Sequence, residues 1–211
     1  MTSHDHGHEH APIESSADEN HPDALTTRAL KELLIEKGWF SADDVRRQIE
    51  VLQSPGPHQG AAIVARAWVD PDYRTRLLAD GSAAAAALGY PIKEAQLIVV
   101  ENTDETHNLV TCTLCSCYPR SLLGQPPAWY TGKAYRARSV HDPRGVMREL
   151  GWEPSEDLVI RVHDSTADMR YLVLPRRPDG TEGWTEEALA SLVSRDSMIG
   201  VAPARAPDDA A

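Results

Sequence analysis

Apolar positions in the first part of the chain recur at the spacing of amphipathic helices. The first apolar stripe consists of Leu25, Ala29, Leu30, Leu33 and Leu34. Gly38 then provides a typical helix stop. Ser41 is typical of an N-cap that opens a second helix, which the Pro55-Gly56-Pro57 motif must end. Further helices are predicted over residues 60–68 and 71–78, so residues 23–90 should form a helical N-terminal arm.

Short β-branched and apolar runs replace the helical pattern after residue 90. They predict strands over residues 97–100, 109–111, 158–162 and 171–174. Residues 135–150 are predicted to be mainly helical with a break at Pro143. A last short helix should open at the cap Thr185 and run through Val193. We therefore expect an α+β fold, in which residues 91–211 form an α+β domain behind the arm.

Residues 1–22 are polar and rich in histidine, with His4, His6, His8 and His10 alternating with other residues. This segment has no apolar periodicity and nothing to bury, which predicts a disordered tail. Imidazole binds cobalt, nickel, copper and zinc, so the tail could capture metal ions loosely. A purely solvated tail is the alternative interpretation.

The composition narrows the class of protein. The net charge of −11 argues against non-specific nucleic-acid binding, which depends on clustered Lys and Arg. No apolar run approaches the length of a membrane-spanning helix. The N-terminus lacks the basic-then-apolar pattern of a secretory signal. We therefore expect a cytoplasmic protein that binds neither nucleic acid nor membrane.

The three cysteines of the chain, Cys112, Cys115 and Cys117, lie within six residues. Such clustering predicts metal binding or redox chemistry rather than a disulfide scaffold. The C-x-x-C-x-C spacing argues against a four-cysteine zinc site, and a cubane iron–sulfur cluster usually needs a fourth thiolate. Backbone amide nitrogens are the nearest remaining ligands. Thiolates with deprotonated amides would favour a low-spin trivalent ion, cobalt(III) or iron(III).

The stretch from Cys112 to Pro119, C-T-L-C-S-C-Y-P, resembles the metal loop of nitrile hydratase alpha subunits. Thr113 matches the cobalt form of that loop, because the iron form usually has serine there. The similarity covers nearly everything after residue 25, including Trp129-Tyr130 and residues 135–138. It implies a layered α-β-β-α domain that binds the metal and carries catalysis.

The resemblance also implies a ligand set. Cys112, Cys115 and Cys117 would supply sulfur, and the backbone nitrogens of Ser116 and Cys117 would complete a plane around cobalt(III), with iron(III) as the alternative. Water or substrate would take the sixth position. Cys115 would be oxidised to sulfinic acid and Cys117 to sulfenic acid, two states on the usual oxidation ladder of cysteine.

Asp164, Asp168 and Arg170 match a charged group that orients the metal ligands in the family, which usually has Glu at the position of Asp168. A surface ion-pair cluster is the alternative interpretation of these three residues. Arg136 and Arg138 could face a partner subunit or the cysteine loop, or simply form a solvated helix face.

The activity implied is hydration of a nitrile to the amide. The metal would polarise the nitrile as a Lewis acid. Either the sulfenate oxygen of Cys117 or water activated by the metal would attack its carbon. Catalytic residues would be Cys117, Ser116 and Arg120. The family acts with a homologous beta-type subunit, in one or two chains, whose arginines bind the oxidised sulfurs. A maturation protein is a further expected partner.

Two positions depart from the nitrile hydratase pattern. Arg120 replaces a tryptophan that shapes an apolar substrate pocket, and Lys93 stands where the family usually has glutamine. Arginine suits an anion better than a plain nitrile. The segments 118–120, 123–125 and 35–41 are similar to the gamma subunit of thiocyanate hydrolase, which converts thiocyanate and water to carbonyl sulfide and ammonia. Thiocyanate hydrolysis is therefore the alternative function, and a non-catalytic metal carrier or redox sensor is a third.

Overall fold

The apolar runs after residue 95 form two parallel strand pairs in the computed structural model, which describes residues 22–53 and 55–209. Strand β1 (Gln96–Glu101) pairs with β4 (Met169–Leu174), and β2 (Thr106–Thr111) pairs with β3 (Val159–Asp164). The predicted strands are confirmed, although β2 begins three residues earlier than predicted. In the register of the second pair, Thr111 lies opposite Asp164. The residues that follow β2 and β3 are thereby brought together.

Most predicted helices are also confirmed. The helices are α1 (Pro22–Glu36), α2 (Ala42–Gln53), α3 (Pro57–Val69), α4 (Pro71–Ala79), α5 (Gly81–Ala87), α6 (Arg120–Leu123), α7 (Ala128–Thr131), α8 (Lys133–His141), α9 (Pro143–Glu149), α10 (Glu186–Ser191) and α11 (Arg195–Ile199). The predicted tail lies outside the described residues, apart from Pro22. No helix in the described ranges is long and apolar enough to cross a lipid bilayer.

The prediction of a last helix through Val193 was wrong. Thr185 does cap α10, accepting a hydrogen bond from the Ala188 N–H at 3.3 Å, but the helix ends at Ser191. Ser194 and Ser197 then exchange side-chain and backbone hydrogen bonds in a capping box, which opens α11. A second cap within ten residues thus starts a new helix instead of extending the old one.

The layers follow an α-β-β-α order. Helices α4 and α5 contact β1, strand β2 contacts both strands of the β1–β4 sheet, and α8 and α9 contact β2 and β3 respectively. The core between these layers contains the fully buried side chains of Leu97, Leu109 and Leu172. Each such burial stabilises the fold by about 1.5–3 kcal/mol. The α+β architecture expected from the sequence is therefore present.

The N-terminal helices differ in how they use their apolar faces. Ile63 and Val64 of α3 are fully buried and belong to the same hydrophobic core as the strands. In contrast, α1 has no buried residue, and Leu30 in its predicted stripe is 53% exposed. The division of the chain near residue 90 stays a prediction. The residues that the structure describes therefore leave the apolar stripe of α1 uncovered.

A buried polar network joins the two sheets. His107 Nε2 donates to the Gly200 carbonyl at 2.9 Å, because that oxygen can only accept, and Nδ1 accepts from Asn102 Nδ2 at 3.1 Å. Asn102 Oδ1 accepts from the backbone and side chain of Asn108. Asn108 Oδ1 in turn accepts from His163 Nε2 at 2.8 Å. These contacts keep the His107 imidazole neutral, since both ring nitrogens are already used.

Acidification is expected to destabilise this fold. Burial lowers the pKa of His107 and of His163 below the ordinary value of 6.5, whereas the unfolded chain takes up protons near that value. The free energy of unfolding should therefore fall as the pH drops below about 6.5, by up to about 1.4 kcal/mol per histidine for each pH unit. Urea unfolding curves between about pH 7.5 and 5.5 measure this loss.

Two variants test whether His107 causes this pH dependence of stability. His107→Gln removes one neutral imidazole, so it should reduce the pH dependence while lowering stability at every pH. His58→Gln removes an imidazole that is exposed and should keep the wild-type pH dependence. Equal pH dependence in His107→Gln and wild type would contradict the role of His107.

Candidate metal centre

The cysteine loop begins where β2 ends. Cys112 directly follows Thr111 and is fully buried, whereas Cys115 is exposed and Cys117 is partly exposed. The Sγ atoms of Cys112 and Cys115 are 3.4 Å apart, and those of Cys115 and Cys117 are 3.1 Å apart. All three sulfurs lie within 4.8 Å of one another. The loop therefore gathers three soft donors around one point.

Backbone amides of the loop lie next to the cluster of three sulfurs. The Cys115 N–H donates to Cys112 Sγ at 3.3 Å. The backbone N–H groups of Ser116 and Cys117 also act to lower the pKa of the Cys115 thiol. The predicted nitrogen ligands, the Ser116 and Cys117 amides, thus lie against the sulfur cluster. The assignment of these atoms as ligands stays a prediction.

The ionisation of the thiols tests whether this cluster suits a cation. Hydrogen bonds from Cys117 and Cys112 lower the pKa of the Cys115 thiol. Burial, together with its hydrogen bond to Cys115, raises the pKa of Cys117 to about 12. Three thiolates at these separations would repel one another strongly unless a positive charge lies between them. The donor set therefore fits one thiophilic metal ion.

Asp164 attaches the loop to β3. Its Oδ1 accepts from the Thr113 N–H at 2.8 Å, and its Oδ2 accepts from the Thr113 hydroxyl at 2.5 Å. The parallel register of β2 and β3 creates this contact, because it aligns Thr111 with Asp164. Asp164 thus contacts the residue next to Cys112, and its orienting role stays a prediction.

Asp168 lies in the turn between β3 and β4, and Arg170 is the second residue of β4. Arg170 Nη1 donates to the backbone carbonyls of Thr166, Ala167 and Met169, and its positive charge acts to lower the pKa of Cys117. The Asp168 side chain is exposed, and its backbone carbonyl accepts from the Gln96 N–H at 3.0 Å. The three predicted charged residues therefore do not form one ion-pair cluster among the described residues.

Two further side chains bind backbone carbonyls of the loop. Tyr130 was not predicted as a site residue, and the orientation of Arg136 was left open. The Tyr130 hydroxyl donates to the Cys117 carbonyl at 2.7 Å, and Arg136 Nη1 donates to the Cys115 carbonyl at 2.7 Å. Arg136 therefore faces the loop. Arg138 is neither solvated nor directed at the loop, because it is buried in ion pairs with Glu149 and Asp142. That it faces a partner subunit stays a prediction.

A cavity of about 230 Å³ opens beside the exposed sulfurs. It is lined by Glu94, Cys115, Ser116, Cys117, Tyr118, Arg120 and Arg170. Arg120 therefore lies at the cavity, and its catalytic role stays a prediction. Glu94 was missed, and the charged residue next to it in sequence, Lys93, does not line the cavity. A carboxylate two residues before a partly buried strand was the available signal.

Comparison with known proteins agrees with this geometry. The family model described as "Nitrile hydratase, alpha chain" matches residues 21–202. The low-molecular weight cobalt-containing nitrile hydratase subunit alpha of Rhodococcus rhodochrous is 47% identical over 204 residues, covering 95% of this chain and 99% of the relative. The thiocyanate hydrolase subunit gamma of Thiobacillus thioparus is 44% identical over 186 residues, covering 82% and 76%.

A solved structure gives the same result. A double mutant of the Fe-type nitrile hydratase from Comamonas testosteroni Ni1 superposes with a TM-score of 0.83 at 41% identity, covering 90% of this chain and 94% of that one. The family match extends over the sheets, the cysteine loop and all eleven helices, α1 to α11. The chain therefore belongs to the nitrile hydratase alpha-chain family.

Proposed function

We propose that this chain is the metal-holding catalytic subunit of a cobalt enzyme that hydrates nitriles to amides. The observation that supports the proposal most directly is the gathering of three cysteine sulfurs within 4.8 Å in a chain of this family. The cobalt-containing relatives support cobalt, and Thr113 is the residue typical of the cobalt form.

The residues of the cysteine loop would have different roles. Cobalt(III) would be held by the sulfurs of Cys112, Cys115 and Cys117 and by the amide nitrogens of Ser116 and Cys117. The bound ion would supply Lewis-acid polarisation of the nitrile. Following the family pattern, Cys115 would be a sulfinic acid and Cys117 a sulfenic acid. The Cys117 side chain borders the cavity, so its oxygen would be placed to attack the nitrile carbon.

The proposal includes a second chain. Cys115 is exposed, and Leu114 beside it is 86% exposed; a nitrile bound there needs a wall that excludes water. A beta-type subunit would supply that wall and would cover the apolar stripe of α1. A maturation protein would act earlier, when the ion is inserted. We place the enzyme in the cytoplasm, where unpaired cysteines are kept reduced before maturation.

Thiocyanate hydrolysis is the second candidate, and Arg120 favours it. The side chain of Arg120 is exposed at the cavity that the cysteines line, where a positive charge attracts an anion. Thiocyanate carries the same kind of carbon–nitrogen triple bond as a nitrile, so the same polarisation would serve both. The gamma subunit of thiocyanate hydrolase is almost as similar as the nitrile hydratases.

One assay on the purified, cobalt-loaded complex with the beta-type partner tests the proposal. We expect about one cobalt per chain, about three added oxygen atoms on the peptide with the cysteine loop, and amide formation from a small nitrile. Metal content, intact mass and product chromatography measure the three. Release of carbonyl sulfide from thiocyanate without amide formation would establish the second candidate. A structural zinc, or a metal that exchanges quickly without turnover, would indicate a carrier.

A further inference from the structure

We infer that Glu94 determines which substrate charge this cavity accepts, by anchoring Arg120 and by opposing its positive charge. The inference rests on the proposed function for the identity of the site. It assigns a role to a residue that lies 18 positions before the first cysteine and outside the cysteine loop.

Glu94 is fixed by the segment that carries Arg120. The Ser121 N–H donates to Glu94 Oε1 at 3.0 Å, and the Ser121 hydroxyl donates to Oε2. The Lys93 N–H donates to the Ser121 hydroxyl at 3.3 Å. The chain just before β1 is therefore tied to the residue that immediately follows Arg120.

These contacts act as a helix cap supplied from outside the helix. Helix α6 has only four residues, and Pro119 before it offers no side-chain hydrogen bond to the first turn. The Glu94 carboxylate accepts one of the unpaired N–H groups at that end. Because Arg120 is the first residue of α6, the capping by Glu94 holds its backbone in place at the edge of the cavity.

The charges of the cavity point to selection by substrate charge. Among the described side chains that line it, Glu94 is the one carboxylate, and Arg120 and Arg170 are the two cations. The Arg170 guanidinium is already hydrogen-bonded to the backbone carbonyls of Ala167 and Met169. Arg120 is exposed and is the cation that can move toward a ligand. Glu94 offsets that cation, so the cavity attracts an anion less than Arg120 alone would.

The Glu94→Gln substitution separates charge from shape. The glutamine side chain keeps an oxygen that can accept the Ser121 N–H but removes the negative charge. We expect the ratio of the Kd for azide, a linear anion, to the Kd for propionamide, a neutral product, to fall by roughly three- to tenfold. Calorimetric titration of the cobalt-loaded complex measures both constants without turnover. High salt should shrink the shift because it screens the charges.

Matched variants identify the source of the shift. Asp104→Asn removes an equal charge from an exposed ion pair with Arg176, away from the cavity, and should leave the ratio unchanged. Arg120→Gln should raise the ratio. In the Glu94→Gln, Arg120→Gln double variant the effects should not add, because the two residues act on each other.

A ratio in Glu94→Gln that equals the wild-type ratio would overturn the inference, as would equal weakening of both ligands. The binding constants do not depend on catalysis. If the complex turns over neither nitrile nor thiocyanate, the proposed function fails, and the ratio still decides the role of Glu94. If turnover is seen and the ratio does not move, only the role of Glu94 fails.

Discussion

The Cys112→Ser substitution is expected to abolish metal binding and turnover. Cys112 is the fully buried donor of the cluster, and its sulfur also accepts the Cys115 N–H. A serine hydroxyl is a hard donor that stays protonated at neutral pH, so it replaces a thiolate poorly. Loss of the Lewis acid removes several kcal/mol of transition-state stabilisation, which corresponds to at least about a thousandfold in turnover. Cobalt content and activity of the Cys112→Ser complex measure the loss.

The control must show that the fold survives. Val159→Ala truncates an exposed side chain at the start of β3 and leaves the cysteine loop and Asp164 unchanged, so it should bind about one cobalt per chain as the wild type does. Thermal unfolding should give Cys112→Ser and the metal-free wild type similar midpoints. A Cys112→Ser complex with full cobalt and activity would show that this sulfur is not a ligand.

Local chemistry along the chain made part of the fold predictable. The side chains of Ser41 and Thr185 each accept a hydrogen bond from an N–H group three residues later in the chain. Both helices begin where predicted. The sulfur cluster is equally local, since its three cysteines span six residues. In both cases the residues that form the feature are neighbours in sequence, so no knowledge of topology was needed.

Long-range contacts of the site depended on the parallel pairing of the strands, which hydrophobic pattern alone does not specify. Asp164 and Thr113 are 51 residues apart, and they meet because β3 lies parallel to β2 in one particular register. Glu94 and Ser121 meet across 27 residues. Family resemblance identified Asp164, but nothing in the spacing identified Glu94.

Periodicity also left open what covers an apolar face. The stripe of α1 predicted a helix correctly, yet the helix buries no residue in the described part of the chain. Arg138 shows the opposite failure. A charged residue on a polar helix is usually solvated, but here two carboxylates, Asp142 and Glu149, compensate its burial.

The second large effect is expected at Asp164, which contacts the loop without supplying a sulfur or nitrogen ligand. The asparagine in Asp164→Asn can accept only one of the two Thr113 hydrogen bonds and loses the negative charge that strengthens them. The loop would then be free to move relative to β3, and Cys112 with it. We expect Asp164→Asn to weaken cobalt retention or turnover by about ten- to a hundredfold.

The same substitution at Asp157 is the matched comparison, because Asp157 is an exposed aspartate two residues before β3 begins. Asp157→Asn should retain cobalt and turnover as the wild type does. Dialysis against a chelator, followed by cobalt analysis, would separate the two variants even before activity is assayed. If Asp164→Asn kept its cobalt through dialysis and turned over at the wild-type rate, the loop would have to be rigid through Tyr130 and Arg136 alone, since these side chains hold the Cys117 and Cys115 carbonyls independently of β3.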